Sequence, residues 1–160
     1  IPRGELRSFL EERVGSKFLK PGPVKDLKGS VLGQHKGIIF YTIGQRQGLG
    51  IAHAFALYVV RIDSKNNTLI VGEKKDLYGT KLEAKELHLL TQNKLSKRLV
   101  VEAKIRYNHT QAKATVRPLS KLRVLVEFDK PQWAITPGQS IVFYRKNIVI
   151  GGATIERSLG

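Results

Sequence analysis

The second half of the chain alternates, and a two-residue period leaves the backbone little choice but to form strands. Val101, Ala103, Ile105 and Tyr107 fall on one face of an extended segment, with Glu102, Lys104 and Arg106 on the other. Residues 114–119 alternate as well, Val124, Val126 and Phe128 oppose Leu125 and Glu127, and residues 141–144 and 148–155 complete the set. Turn chemistry separates them at Pro118-Leu119-Ser120, Asp129-Lys130-Pro131, Thr136-Pro137-Gly138 and Lys146-Asn147. Short strands at this spacing predict a small closed or nearly closed six-stranded antiparallel barrel. Closure removes the exposed edges that so short a β domain has no other means of protecting.

The first half reads differently. Leu6, Phe9, Leu10 and Val14 have the spacing of one helical face, with Pro2 before them and Gly15 after, which predicts a short amphipathic helix. Pro21-Gly22-Pro23 breaks the chain, and residues 24–33 read as two extended pieces joined at Asp26-Leu27-Lys28-Gly29. Residues 56–63 and 68–72, rich in β-branched side chains, form a hairpin across Ser64-Lys65-Asn66-Asn67. A domain junction is placed near Gly79-Thr80. The fold class expected is thus mainly β, with a small α+β central domain over residues 1–79 and a six-stranded antiparallel β-barrel over residues 80–160.

Residues 37–50 change character in the middle. A dense apolar and aromatic run, from Ile38 to Ile43, gives way to Gly44, Gly48 and Gly50 set around Gln45, Arg46 and Gln47. Such a run is long enough to be buried, and the glycine-spaced tail lets the backbone turn and present long donor side chains.

Charge is the main compositional signal: 28 Lys and Arg against 13 Asp and Glu, a formal net charge of +15. Residues 1–80 contribute 13 basic and 7 acidic side chains, and residues 81–160 contribute 15 and 6, so both halves are expected to face one polyanionic partner. Cysteine is absent, which excludes disulfides, cysteine-ligated zinc and a thiol nucleophile within these 160 residues. Four scattered histidines make a metal site an unfavoured reading, and His35, in a loop without an acidic neighbour, is expected to be solvated. No apolar run is long enough to span a bilayer and no signal-peptide pattern is present, so a soluble intracellular protein with no membrane partner is expected. The chain starts Ile1-Pro2 and contains no Met, which suggests a fragment lacking an N-terminal part.

No catalytic constellation emerges from the residues. Residues 44–50 lack the lysine of a phosphate loop, the acids do not pair, and no nucleophile elbow surrounds a serine. Three places suit RNA instead. Gln45 and Arg46 offer amide and guanidinium groups on the glycine loop. Arg106-Tyr107-Asn108-His109, at a strand end, joins a phosphate partner to a ring on which a base can stack, although the alternation equally assigns Tyr107 to the barrel core. Gln139 projects an amide from the turn Thr136-Pro137-Gly138-Gln139-Ser140, and nearby Trp133 reads as packing.

In order along the chain, Tyr41-Thr42-Ile43-Gly44-Gln45-Arg46-Gln47-Gly48-Leu49-Gly50-Ile51, Lys104-Ile105-Arg106-Tyr107, Phe128-Asp129-Lys130-Pro131, Ile135-Thr136-Pro137-Gly138-Gln139-Ser140-Ile141-Val142-Phe143-Tyr144 and Gly151-Gly152-Ala153-Thr154-Ile155 resemble the C-terminal half of the tRNA-specific 2-thiouridylases. The resemblance implies a cytoplasmic sulfurtransferase that adenylates the wobble uridine of tRNAs for Lys, Glu and Gln with ATP and Mg²⁺, then exchanges its C2 oxygen for persulfide sulfur. That sulfur comes from a donor protein. The ATP-binding domain and catalytic cysteine precede the matching region in the family, so this chain is expected to hold no cofactor and no catalytic residue. It is expected to bind tRNA through a barrel similar to those of translation factors. Family tRNA contacts match Arg106, Tyr107 and Gln139, with Gln45 and Arg46 carried over as an RNA-facing element. The chain departs from the pattern at Asn108-His109 and in a shortened segment over residues 53–57. A stand-alone RNA-binding β-barrel of translation-factor or ribosomal type is the alternative.

Overall fold

The computed structural model describes residues 16–90 and 95–160. The helix expected before Gly15 lies outside the described residues. The chain divides into two compact units, the first ending at Leu77 and the second running from Tyr78 to Gly160.

The first unit is built on a four-stranded mixed sheet in the order β2-β1-β4-β3. Strands β1 (Gly22–Lys25) and β2 (Val31–His35) pair antiparallel, with Gly22 opposite His35. Their connection is held by Asp26, whose carboxylate accepts the backbone N–H of Lys28 at 2.9 Å and of Ser30 at 2.8 Å. Strands β3 (Tyr58–Asp63) and β4 (Thr68–Gly72) form the expected hairpin, and Asp63 repeats the device by accepting the N–H groups of Lys65 and Asn66, each at 3.1 Å. β4 is buried along its whole length and runs parallel to β1, which explains its unbroken Thr-Leu-Ile-Val sequence. Val24, Val59, Leu69 and Val71 form the core with Ile38, Leu49 and Leu57.

Two expectations fail here. His35 is not solvated: it is 1% exposed. Its Nδ1 accepts the Gly37 N–H at 3.0 Å, which leaves Nε2 as the protonated nitrogen, donating to the Asn67 carbonyl at 2.9 Å. The histidine thereby ties the end of β2 to the β3–β4 turn. Nor is the apolar run after Gly37 buried as a unit. Residues Ile38–Phe40 make a single 3₁₀ turn after Gly37, which adopts φ 131°, so that Ile38 enters the core while Phe40 stays 42% exposed. A turn points consecutive side chains in three directions, and one face cannot bury them all.

The second unit is a closed antiparallel barrel in the order β10-β5-β8-β7-β6-β9, as the alternation predicts. Its strands are β5 (Tyr78–Leu89), β6 (Leu99–Lys104), β7 (Ala112–Pro118), β8 (Val124–Trp133), β9 (Ser140–Arg145) and β10 (Ile148–Ser158). Inward side chains such as Leu82, Val101, Val116, Val126, Phe128, Ile141, Phe143 and Ile155 fill it. β5 hides from pattern reading because its period slips: Leu82 and Ala84 face inward, then Glu86 adopts φ 58° and the inward positions continue at Leu87. The register with β10 shifts at the same place, the mark of a β-bulge.

On β10, Gly151 lies where a Cβ would strike the His88 carbonyl and stand 2.8 Å from the Leu89 Cδ2. Backbone cannot move aside within a closed ladder. Gly151→Ala is expected to cost about 1–3 kcal/mol and to lower the melting temperature by roughly 5–15 °C in a thermal scan.

Candidate nucleic-acid interface

The last hydrogen-bonded pairing of β6 with β9 sets Lys104 opposite Val142, so the loop leaving β6 runs beside the loop entering β9. Each has a buried anchor, Ile105 in the first and Ile135 in the second. The second loop needs unusual backbone: Ala134 sits at φ 53° and Gly138 at φ 84°. Its tip is locked to β10, with the Gly138 N–H donating to Ile155 O and the Ile155 N–H to Gln139 O, both at 2.8 Å.

Arg106 ties the two loops together. Its Nη2 donates to the Ala134 carbonyl at 2.9 Å and to the Thr136 hydroxyl oxygen at 3.0 Å, and its Nε to the Gln139 Oε1 at 3.3 Å. The guanidinium lies over the Trp133 ring, 5.1 Å from the centroid, so the tryptophan is the floor under the cation as well as packing. Burial lowers the Arg106 pKa from its usual value. Three hydrogen-bond acceptors and a π face offset that cost, and the fork is fixed before any ligand arrives.

Tyr107 does not belong to the core. β6 ends at Lys104, and a turn closed by the His109 N–H donating to Arg106 O at 3.2 Å swings Tyr107 outward, leaving it 94% exposed. The period that assigned it inward stops two residues too early. His109 is half-buried beside Arg106, and burial first, then the arginine's charge, lowers its pKa below the ordinary histidine value, which favours the neutral ring. Arg106, Tyr107, Asn108, His109 and Gln139 line one shallow groove of 720 Å³. An exposed ring, a fixed cation and amide groups around such a groove suit a phosphate with an unstacked base.

Gln45 and Arg46 belong to the first unit, where they part company. The Gln45 amide is consumed by its own loop: Oε1 accepts the Thr42 N–H at 3.0 Å and Nε2 donates to Gln47 O at 2.9 Å. Arg46 is exposed and borders a 510 Å³ groove with Leu49, Ile51, Phe55 and Leu57. Gln45 braces the loop and Arg46 presents the charge. Among the described residues no cluster of three His, Asp or Glu side chains stands ready for a metal ion. Sequence reasoning missed Ala134 and Thr136 as partners of Arg106; a carbonyl turned toward the arginine by a buried, left-handed alanine carries no sequence signal.

Arg106→Ala removes the donors that join the two loops. It is expected to destabilise the second unit by about 1–3 kcal/mol, while Arg106→Lys, which lacks the planar fork, recovers only part of the loss in a thermal or denaturant melt.

Comparison with known proteins finds a family model over each part of the chain. Residues 7–73 match the family model described as the tRNA methyl transferase PRC-barrel domain, and residues 79–155 the aminomethyltransferase beta-barrel domain. The tRNA-specific 2-thiouridylase MnmA 2 of Thermoanaerobacter sp. is 46% identical over 159 residues, 99% of this chain and 43% of the relative. MnmA of Acetivibrio thermocellus is 49% identical over 148 residues, 92% of this chain and 41% of the relative. MnmA 1 of Thermoanaerobacter pseudethanolicus is 50% identical over 159 residues, with the same 99% and 43% coverage. The chain therefore spans less than half the length of these relatives. With both domain models matched in order and relatives of this identity along nearly every residue, the chain belongs to the tRNA-specific 2-thiouridylase family.

Proposed function

We propose that this chain is the tRNA-binding C-terminal region of an enzyme that 2-thiolates the wobble uridine of tRNAs for Lys, Glu and Gln. The observation that carries the reading is the gathering of Arg106, Tyr107 and Gln139 around one groove, with the tyrosine free to stack. The family match, rather than the barrel itself, favours this over a stand-alone RNA-binding barrel.

Division of labour follows from the side chains. Arg106 is a preset cation whose remaining donors can meet a phosphate, Tyr107 supplies a π face for an unpaired base, and Gln139 holds the arginine while its Nε2 has no hydrogen-bond partner among the described residues. Arg46 adds a second basic point on the first unit. The sulfur chemistry does not fit these residues. There is no cysteine to carry a persulfide and no glycine-rich loop ending in Lys-Ser or Lys-Thr, and among the described residues no acid cluster fits Mg²⁺. We assign ATP, Mg²⁺ and the catalytic cysteine to the portion of the relatives beyond the matched region, and propose a sulfur-donor protein as a partner of the whole enzyme. The chain by itself is expected to thiolate nothing. A cytoplasmic setting, where tRNA is found, completes the reading.

The test is binding of a wobble-uridine tRNA, an unrelated tRNA and duplex DNA across a salt series. Preference for the first that persists at physiological salt is expected, and Tyr107→Ala is expected to cost about 1–3 kcal/mol of affinity with an unchanged thermal melt, because the ring touches no core. Equal binding to all three ligands, collapsing together as salt rises, would contradict the proposal.

A further inference from the structure

The barrel neutralises its cations unevenly. On one side, Arg157 and Arg123 pair with Glu83 at 2.7 and 3.2 Å, Lys81 pairs with Glu127 at 3.0 Å, and Arg123 also meets Glu156. These acids lie on β5, β8 and β10. At the start of β7 and the end of β8, Lys113 and Lys130 are exposed, and neither has an ion-pair partner among the described residues.

Those two lysines share a groove of 490 Å³ with Gln111, Ala112, Asp129 and Gln132. Topology puts this groove next to the first one. β6 and β7 are joined through residues 105–111, whose leading part lines the Arg106 groove while Gln111 opens the second, and Tyr107 stands exposed on the same connection. Gln132 keeps its amide oriented by donating to Lys130 O at 2.9 Å, and its Oε1 has no hydrogen-bond partner among the described residues. The groove is lined by two ammonium groups and one carboxylate, and Glu102 on β6 lies opposite Lys113 and tempers its charge, a balance suited to one phosphodiester rather than to a dianion.

We propose that the groove of Lys113 and Lys130 is a second backbone subsite of the RNA path, taking the phosphate on the far side of the nucleotide stacked on Tyr107. The strand crosses the β6–β7 connection, held on one side by Arg106 and on the other by the two lysines. This also gives Asp129-Lys130, within a stretch otherwise unexplained by the Arg106 groove, a role in binding. The subsite rests on the proposed tRNA-binding function and extends it to residues outside that groove.

The experiment measures binding of a tRNA transcript to the whole chain over a salt series, comparing Lys113→Ala/Lys130→Ala, Tyr107→Ala and Lys121→Ala, the last in the turn between β7 and β8 at the opposite end of that hairpin. The double variant is expected to bind roughly 3- to 10-fold more weakly and to lose about 0.7–0.9 from the slope of log K against log salt, one phosphate's worth. Lys121→Ala is expected to match the parent. If Tyr107→Ala weakens binding while the double variant keeps the parent slope, the path does not enter this groove and the subsite is wrong. If neither Tyr107→Ala nor the double variant weakens binding, the tRNA-binding reading itself falls, and the subsite with it. If Lys121→Ala and the double variant lose slope equally, the lysines contribute only diffuse charge and the subsite is again excluded.

Discussion

Closure of six strands into one barrel is the constraint from which the rest of the second unit follows. A strand of six residues, such as β6 or β9, cannot protect its edge alone, and a closed ladder gives every edge a partner. Closure fixes where connections emerge. It also fixes register tightly enough that Gly151 has no room for a Cβ, and that the extra residue at Glu86 must be absorbed as a bulge. Because β6 and β9 are hydrogen-bonded neighbours, the loops at their ends are brought together, and Arg106 has only to bridge them.

What Arg106 does at that junction is the link from fold to function. A guanidinium half-withdrawn from water is costly unless its donors are used, and here a carbonyl, a hydroxyl and an amide oxygen use them while an indole lies beneath. The same bonds that keep the cation in place set it in advance for a ligand, so less ordering is needed on binding. Tyr107 has the opposite character. It contributes nothing to the core and is positioned by a turn, so its exposure has no structural benefit within the unit. A fixed cation beside an exposed ring is a division between holding and reading that suits a flexible, unpaired nucleotide.

Much of this was legible in the residues. Period-two alternation revealed the barrel, and turn residues at 26–29 and 64–67 marked the two connections in the first unit, although the part Asp63 plays in holding the second was not read from the sequence. Pattern reports neither where a strand stops nor what a side chain bonds, so Tyr107 was left between two readings and two other residues or stretches were misread. Tyr107 continued the inward series of Val101, Ala103 and Ile105, yet the turn at residues 106–109 takes it out of the sheet. His35 read as a loop residue, but its ring satisfies two backbone groups at once and is buried for that reason. Ile38, Ile39 and Phe40 read as part of one buried run until a 3₁₀ turn spreads them over three directions. At the site, Arg106, Tyr107 and Gln139 were nameable from sequence, whereas their junction through Ala134 and Thr136 depends on backbone geometry that no residue type announces.

The central claim is that one end of this barrel, the end bearing Arg106, Tyr107 and Gln139, is the surface that meets tRNA. Backbone amide NMR of the chain titrated with a tRNA anticodon stem-loop tests it most directly. The account expects the largest shifts at residues 105–113 and 129–140, with the Glu83, Glu127 and Glu156 side unchanged. Shifts centred on that acidic side, or spread evenly over the barrel, would contradict it.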